Sequence, residues 1–163
     1  MLIVIYGLPG TGKSYFARHL EKETGAYYLN TDMIREKIDK KGKYDIKSKQ
    51  EVYGKLMQQA KEELIKGSDV IADGTFHKNS RRKEFADIAR ETGHRIFFIE
   101  MKSDETTIKK RLEKKRKYSE ADFEVYKQLK KEFETQPEVN LKLWSDSQTV
   151  DEMITKTKKL IYG

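Results

Sequence analysis

Short apolar runs alternate along this chain with longer stretches in which apolar residues return every three or four positions. Five runs, at residues 2–6, 26–29, 70–72, 95–100 and 141–144, are apolar, β-branched or aromatic and predict strands. Helical spacing over residues 13–23, 32–40, 48–66, 80–91, 105–117, 120–133 and 150–162 predicts the elements between and after them. Strands separated by helices of this length imply right-handed crossovers and a parallel sheet. The first, third and fourth runs are almost unbroken in apolar character, as expected of strands covered on both faces. Gly25, Gly67 and Gly93 each follow a helical stretch and precede a strand, where a left-handed helix cap belongs. Thr31 or Asp32 is placed to cap the second helix, and Ser119 the one opening at residue 120. Residues 40–47, rich in Lys and Gly, read as a surface loop. The pattern predicts an α/β fold, a three-layer αβα sandwich on a five-stranded parallel sheet. One domain is expected over residues 1–163, with no internal repeat or low-complexity linker.

Composition narrows the class. Hydrophobic residues make up 36% and charged residues 37% of 163, enough to bury a core in one domain. No apolar run approaches the roughly 20 residues of a membrane span. The start, Met1 to Tyr6, lacks the basic region and cleavage site of a signal peptide. There is no cysteine, which excludes disulfides, thiolate metal sites and cysteine nucleophiles. A cytoplasmic protein is the expectation. Lys plus Arg number 34 against 27 for Asp plus Glu, a formal charge of +7. That balance suits an anionic ligand such as a nucleotide and is compatible with nucleic acid.

The specific chemistry begins after the first strand. Gly7, Leu8, Pro9, Gly10, Thr11, Gly12, Lys13 and Ser14 match G-x-x-x-x-G-K-[ST] in full. Glycines let the backbone wrap a phosphate, and the amides of the loop and of the helix start, through Tyr15, point at the anion. Lys13 supplies a charge to the β- and γ-phosphates, and the Ser14 hydroxyl is placed to ligate Mg²⁺. The apolar strand leading in and the helical pattern leading out supply the context the motif requires. No Asn-Lys-x-Asp occurs, and the only Asp-x-x-Gly, at Asp39 to Gly42, lies in the polar loop, which argues against a GTPase.

Two further strand ends carry aspartates. In doubly wound sheets ligands bind outside the carboxyl ends of strands. Asp32, just past the second strand, is there to take the proton of an attacking hydroxyl, and Arg35, one turn on, to steady an anionic group. Asp73 closes the third strand as a Walker B aspartate does, holding Mg²⁺ directly or through water. His19, His77 and His94 have no partner pattern and read as structural or surface residues. After the fourth strand, residues 109–117 pack seven cations into nine positions. A charge run on a helix is ordinarily a solvated face. In this place it also suits a lid, at about residues 104–133, whose Arg111 and Arg116 neutralise the phosphoryl group in transfer.

The ordered blocks Gly7 to Ser14, Leu29 to Arg35, and Val70 to Phe76 with Arg81 and Arg82 after them resemble an AAA-type family of P-loop kinases. That family is allied to the kinase domain of polynucleotide kinase and, more distantly, to zeta toxins. The basic stretch Ile108 to Arg116, followed by Tyr118 to Asp122, resembles the family's lid and the helix after it. The resemblance implies Lys13 and Ser14 on ATP and Mg²⁺, Asp32 as base, Arg35 on an acceptor phosphate, Asp73 at the metal and Arg111 or Arg116 in the lid. The expected activity is ATP-dependent phosphorylation of a hydroxyl, weighted slightly toward a polynucleotide or nucleoside 5′-hydroxyl over a sugar or antibiotic hydroxyl. A nucleotide-binding switch or an ATPase without an acceptor is the reading from another class. Asp32 and Arg35 speak for the kinase, because a switch has little use for them.

Overall fold

The computed structural model describes residues 1–114, 122–137 and 139–163. Five strands, β1 (Leu2–Tyr6), β2 (Tyr27–Asn30), β3 (Val70–Gly74), β4 (Ile96–Lys102) and β5 (Leu141–Trp144), form one sheet in the order β2-β3-β1-β4-β5. Every pairing is parallel. The described helices are α1 (Lys13–Thr24), α2 (Thr31–Lys37), α3 (Ile46–Ile65), α4 (Asn79–Glu91), α5 (Glu105–Glu113), α6 (Phe123–Glu132) and α7 (Val150–Tyr162). This is the expected αβα sandwich.

Alternation along β1 explains the two-sided burial. Leu2, Val4 and Tyr6 point to a core shared with α3 and α4, through Val52, Leu56, Ala60 and Phe85. Ile3 and Ile5 point to the opposite core, which α1 and α7 close with Phe16, Leu20, Met153 and Ile161. Each buried aliphatic or aromatic side chain contributes about 1.5–3 kcal/mol by leaving water, so both layers hold the sheet. Register then lines up the strand ends where chemistry is expected. Asn30 pairs with Asp73 across β2 and β3, and Tyr6 with Gly74 across β1 and β3.

Helix punctuation follows the sequence in part. Gly25, Gly67 and Gly93 take φ of 69°, 89° and 70° after α1, α3 and α4. The second helix, however, is capped by Asn30 rather than by Thr31 or Asp32. The Asn30 side chain accepts from the amides of Asp32 (2.9 Å) and Met33 (3.3 Å). The same helix ends at Lys37 rather than at residue 40, because Asp39 turns left-handed (φ 55°) and the Lys40 amide closes back on the Arg35 carbonyl at 2.8 Å. The loop expected over 40–47 is shortened from its far end, since Asp45 caps α3 through the Ser48 amide and the helix starts at Ile46. In α6 the cap is Asp122, whose carboxylate accepts from the Val125 amide. Ser119, expected in that role, and Arg116 lie outside the described residues.

Candidate active site

The loop that leaves β1 runs into α1 at Lys13. Gly7 and Gly10 sit at φ of 152° and 81°, a region L side chains rarely enter. Space excludes a side chain as well. A Cβ on Gly7 would stand 2.3 Å from the Met101 carbonyl oxygen, and one on Gly10 would stand 3.0 Å from Ile108 Cγ2. The α1 helix has neither a side-chain cap nor an acid in its first turn. The first-turn amides, from Lys13 through Tyr15, therefore present an uncompensated positive helix end to an anion. Lys13 Nζ and the Thr11 hydroxyl both donate to the Leu8 carbonyl at 2.8 Å, which arches the ammonium over the loop.

Asp73, fully buried at the end of β3, gathers three donors on one oxygen. Its Oδ2 accepts from Ser14 Oγ (2.7 Å), Tyr28 OH (2.8 Å) and Asn30 Nδ2 (2.7 Å). Its Oδ1 is buried and has no hydrogen-bond partner among the described residues. Burial and then the Asp73 carboxylate push the Tyr28 hydroxyl far above the usual tyrosine range, so it stays a donor. An orphaned carboxylate oxygen beside a serine hydroxyl is a hard-oxygen pair of the kind Mg²⁺ takes, with phosphates and waters filling its other positions. Among the described residues no group of three or more His, Asp or Glu side chains could replace that pair.

Asn30 and Tyr28 join the candidate site through Asp73 without belonging to any sequence motif. The signal was the period of two in β2, which places 28 and 30 on one face with Leu29 on the other. Asn30 serves both sides of the site. Its oxygen caps α2 and its nitrogen holds Asp73. On α2, Asp32 Oδ1 accepts from Arg35 Nη1 at 3.2 Å, with the Asp32 side chain one-third exposed and that of Arg35 buried. Sequence and structure thus bring Lys13, Ser14, Asp32, Arg35 and Asp73 to neighbouring strand ends.

Arg111 lies on the other flank of the loop. Its Nη1 donates to the Gly10 carbonyl (3.1 Å) and to Ser145 Oγ (2.8 Å), and its Nη2 to the Ser145 carbonyl (3.1 Å). Ser145, just past β5, in turn donates to the Thr11 carbonyl at 2.8 Å. The guanidinium expected to face a phosphoryl group grips the loop's own backbone, an arrangement that the run of cations in the sequence could not reveal. A cavity of about 300 Å³ separates Gly7 and Leu8 from Tyr126, Lys130 and Phe133 of the α6 layer.

A second network anchors the far end of that layer. Arg82, fully buried on α4, donates to the Phe76 carbonyl (2.7 Å), to Gln136 Oε1 (2.7 Å), to Asn79 Oδ1 and to the Glu134 carbonyl. Its guanidinium lies 4.7 Å from the Tyr6 ring centroid and 5.5 Å from that of Phe133. Phe76, whose carbonyl it holds, is left-handed at φ 39° and buried. His77 is half-buried beside Glu132, at 3.5 Å from Nε2.

The chain is similar to known proteins in sequence and in fold. A family model described as an AAA domain matches residues 2–136. L-seryl-tRNA(Sec) kinase from Methanococcus maripaludis is 30% identical over 146 residues, which cover 83% of this chain and 53% of the relative. The chain therefore spans about half the length of that curated relative. APS kinase CysC from Mycobacterium tuberculosis, solved with AMPPNP and APS, superposes with a TM-score of 0.77 at 16% identity, over 99% of this chain and 97% of the other. A sugar kinase from Janibacter sp. gives 0.74 at 19% identity, over 99% and 94%. A gluconokinase from Sinorhizobium meliloti gives 0.72 at 17% identity, over 98% and 90%. At such identities the likeness speaks for the fold, which is that of the P-loop kinases.

Proposed function

The chain belongs to the AAA domain family, and from that premise we propose that it is an ATP-dependent kinase that phosphorylates a hydroxyl group. One observation carries the reading. Asn30 joins the Asp73–Ser14 pair beside the phosphate loop to the helix that presents Asp32 and Arg35. A nucleotide switch needs the first half of this network only.

In this reading the loop amides and Lys13 cradle the β- and γ-phosphates of ATP. Ser14 and Asp73 would hold Mg²⁺, which when bound neutralises charge on the phosphate oxygens. Asp32 accepts the proton of the acceptor hydroxyl as its oxygen bonds to the γ-phosphorus. The bond from that phosphorus to the β–γ bridging oxygen breaks, and its electron pair leaves on ADP. Arg35 orients Asp32 and the acceptor. Arg111 is a positioning residue that keeps Gly10 and Thr11 in shape, with Ser145 as its partner. Helices α5 and α6 belong to a lid over the site, and Arg116 retains the expectation of a lid cation.

The names of the relatives support small molecules or an aminoacyl-tRNA as acceptors. They lend nothing to the earlier weighting toward a polynucleotide 5′-hydroxyl. Transfer of label from γ-labelled ATP to nucleosides, sugars, hydroxy acids, oligonucleotides and seryl-tRNA tests the proposal. A labelled acceptor is expected. Label released only as inorganic phosphate, whatever the acceptor, would turn the reading to an ATPase.

A further inference from the structure

The cavity between the phosphate loop and α6 has no part in the reading so far. Its volume, about 300 Å³, stands at the lower end of small-molecule sites, which run from roughly 300 to 1,000 Å³. Glu100 and Lys102 at the end of β4, with Trp144 at the end of β5, form its wall on the sheet side. Helices α5 and α6 close it with Glu105, Tyr126 and Lys130. Register sets Tyr6, Glu100 and Lys142 side by side on β1, β4 and β5. The Tyr6 ring stacks on that of Phe133, 6.2 Å between centroids, so α6 and the sheet meet at this row.

Polar groups at and behind this wall lack partners. Glu100 is 9% exposed. Lys102 and Lys142 balance its charge from 3.9 Å, beyond hydrogen-bond reach, and no described residue donates a hydrogen bond to its carboxylate. Ser103 Oγ, of the cavity wall, and the Tyr6 hydroxyl are buried without a hydrogen-bond partner among the described residues. Burial and then the Glu100 carboxylate push the Tyr6 hydroxyl above the usual tyrosine range, so it keeps its proton to donate. Buried polar groups are ordinarily hydrogen-bonded, and a ligand with donors and acceptors of its own supplies what is missing here.

The lining sets the class of ligand. Two carboxylates, Glu100 and Glu105, are matched by two ammoniums, Lys102 and Lys130, so the cavity has no net charge to draw an ion. A carboxylate accepts from two neighbouring hydroxyls at once, an ammonium donates to them, and aromatic faces cover the apolar side of a ring. Tyr126, Phe133 and Trp144 provide the aromatic surface. Position in the sheet separates this place from Asp32. Strands β2 and β4 stand three places apart, roughly 14 Å at the usual strand spacing, so a single ring held at Glu100 does not also reach the residue after β2. We propose that the cavity is a second ligand site, which takes a neutral ring compound with adjacent hydroxyls and holds it at Glu100 and Ser103. The inference goes beyond the kinase reading and does not rest on it.

The test is binding to the nucleotide-free protein, followed by NMR titration, with no phosphoryl transfer to be read. The probes are D-ribose, D-glucose, myo-inositol and adenosine, with cyclohexanol and 2′,3′-dideoxyadenosine as rings that lack the adjacent hydroxyls. At least one probe is expected to bind with a Kd below about 10 mM, and the matched ring without the hydroxyls at least about tenfold more weakly. Glu100→Gln should weaken that probe about tenfold and leave the Kd for ATP within about twofold. Lys130 is about half exposed, so Lys130→Trp fills the mouth from the surface and spares the core. It should abolish probe binding, and it decides the matter should E100Q fail to fold. No probe bound by wild type, equal binding of the rings without hydroxyls, or unchanged affinity in either folded variant would overturn the inference.

Discussion

At the scale of single residues, Asn30 does the most with the fewest atoms. Its Oδ1 replaces a backbone acceptor for the first amides of α2, and its Nδ2 is one of three donors on Asp73. Replacing it with alanine removes a cap worth about 1 kcal/mol and a hydrogen bond to a buried carboxylate worth about 1.5–3 kcal/mol. Asn30→Ala should therefore lose about 2–4 kcal/mol in urea denaturation. It should also weaken ATP binding only in the presence of Mg²⁺, which calorimetry with and without the metal would show. Arg111 offers a contrasting case. Its contacts are with the loop and Ser145, so Arg111→Met should raise the Kd for ATP about tenfold through loss of loop shape. A change in kcat alone would instead mark it as a residue of the transition state.

At the scale of elements, the strands were legible and the contacts between distant segments were not. β1, β3 and β4 are buried on both faces, which leaves unbroken apolar runs in the sequence. The phosphate loop was equally plain, because its glycines answer to local backbone geometry. Asn30 was hidden, since its cap is local but its hold on Asp73 spans 43 positions of sequence. Arg82 was hidden for the same reason, as a cation on a helix ordinarily faces water. Instead it ties the turn after β3 to residues 134–136 beyond α6, so the helical layer is hinged at one end on a buried guanidinium. Arg82→Leu leaves the Phe76 and Glu134 carbonyls without that donor. A loss of about 3–5 kcal/mol is expected from the denaturation midpoint, by analogy with breaking other buried charged networks.

For the whole molecule, the sandwich brings the glycine-rich loop after β1, Asp73 at the end of β3 and Asp32, the proposed proton acceptor after β2, to the carboxyl ends of three adjacent strands. Its pH response should come in separate windows. Burial holds the His77 imidazole below its ordinary 6.5, against the opposing pull of Glu132. The folded chain therefore binds that proton less readily than the unfolded chain. Stability is full above the ordinary histidine value and declines as the pH falls below it toward the folded value. His77→Asn should flatten the urea midpoint between about pH 7 and 5.5. Glu132 and Glu134, held low by hydrogen bonds, matter only at and below the ordinary carboxylate range. If Asp32 takes the acceptor's proton, Asp32→Asn separates ATP affinity from phosphoryl transfer when the two are measured side by side. Affinity within about twofold of wild type and transfer lower by about 10²–10⁴ are expected. Equal loss of both, or full transfer, would contradict it.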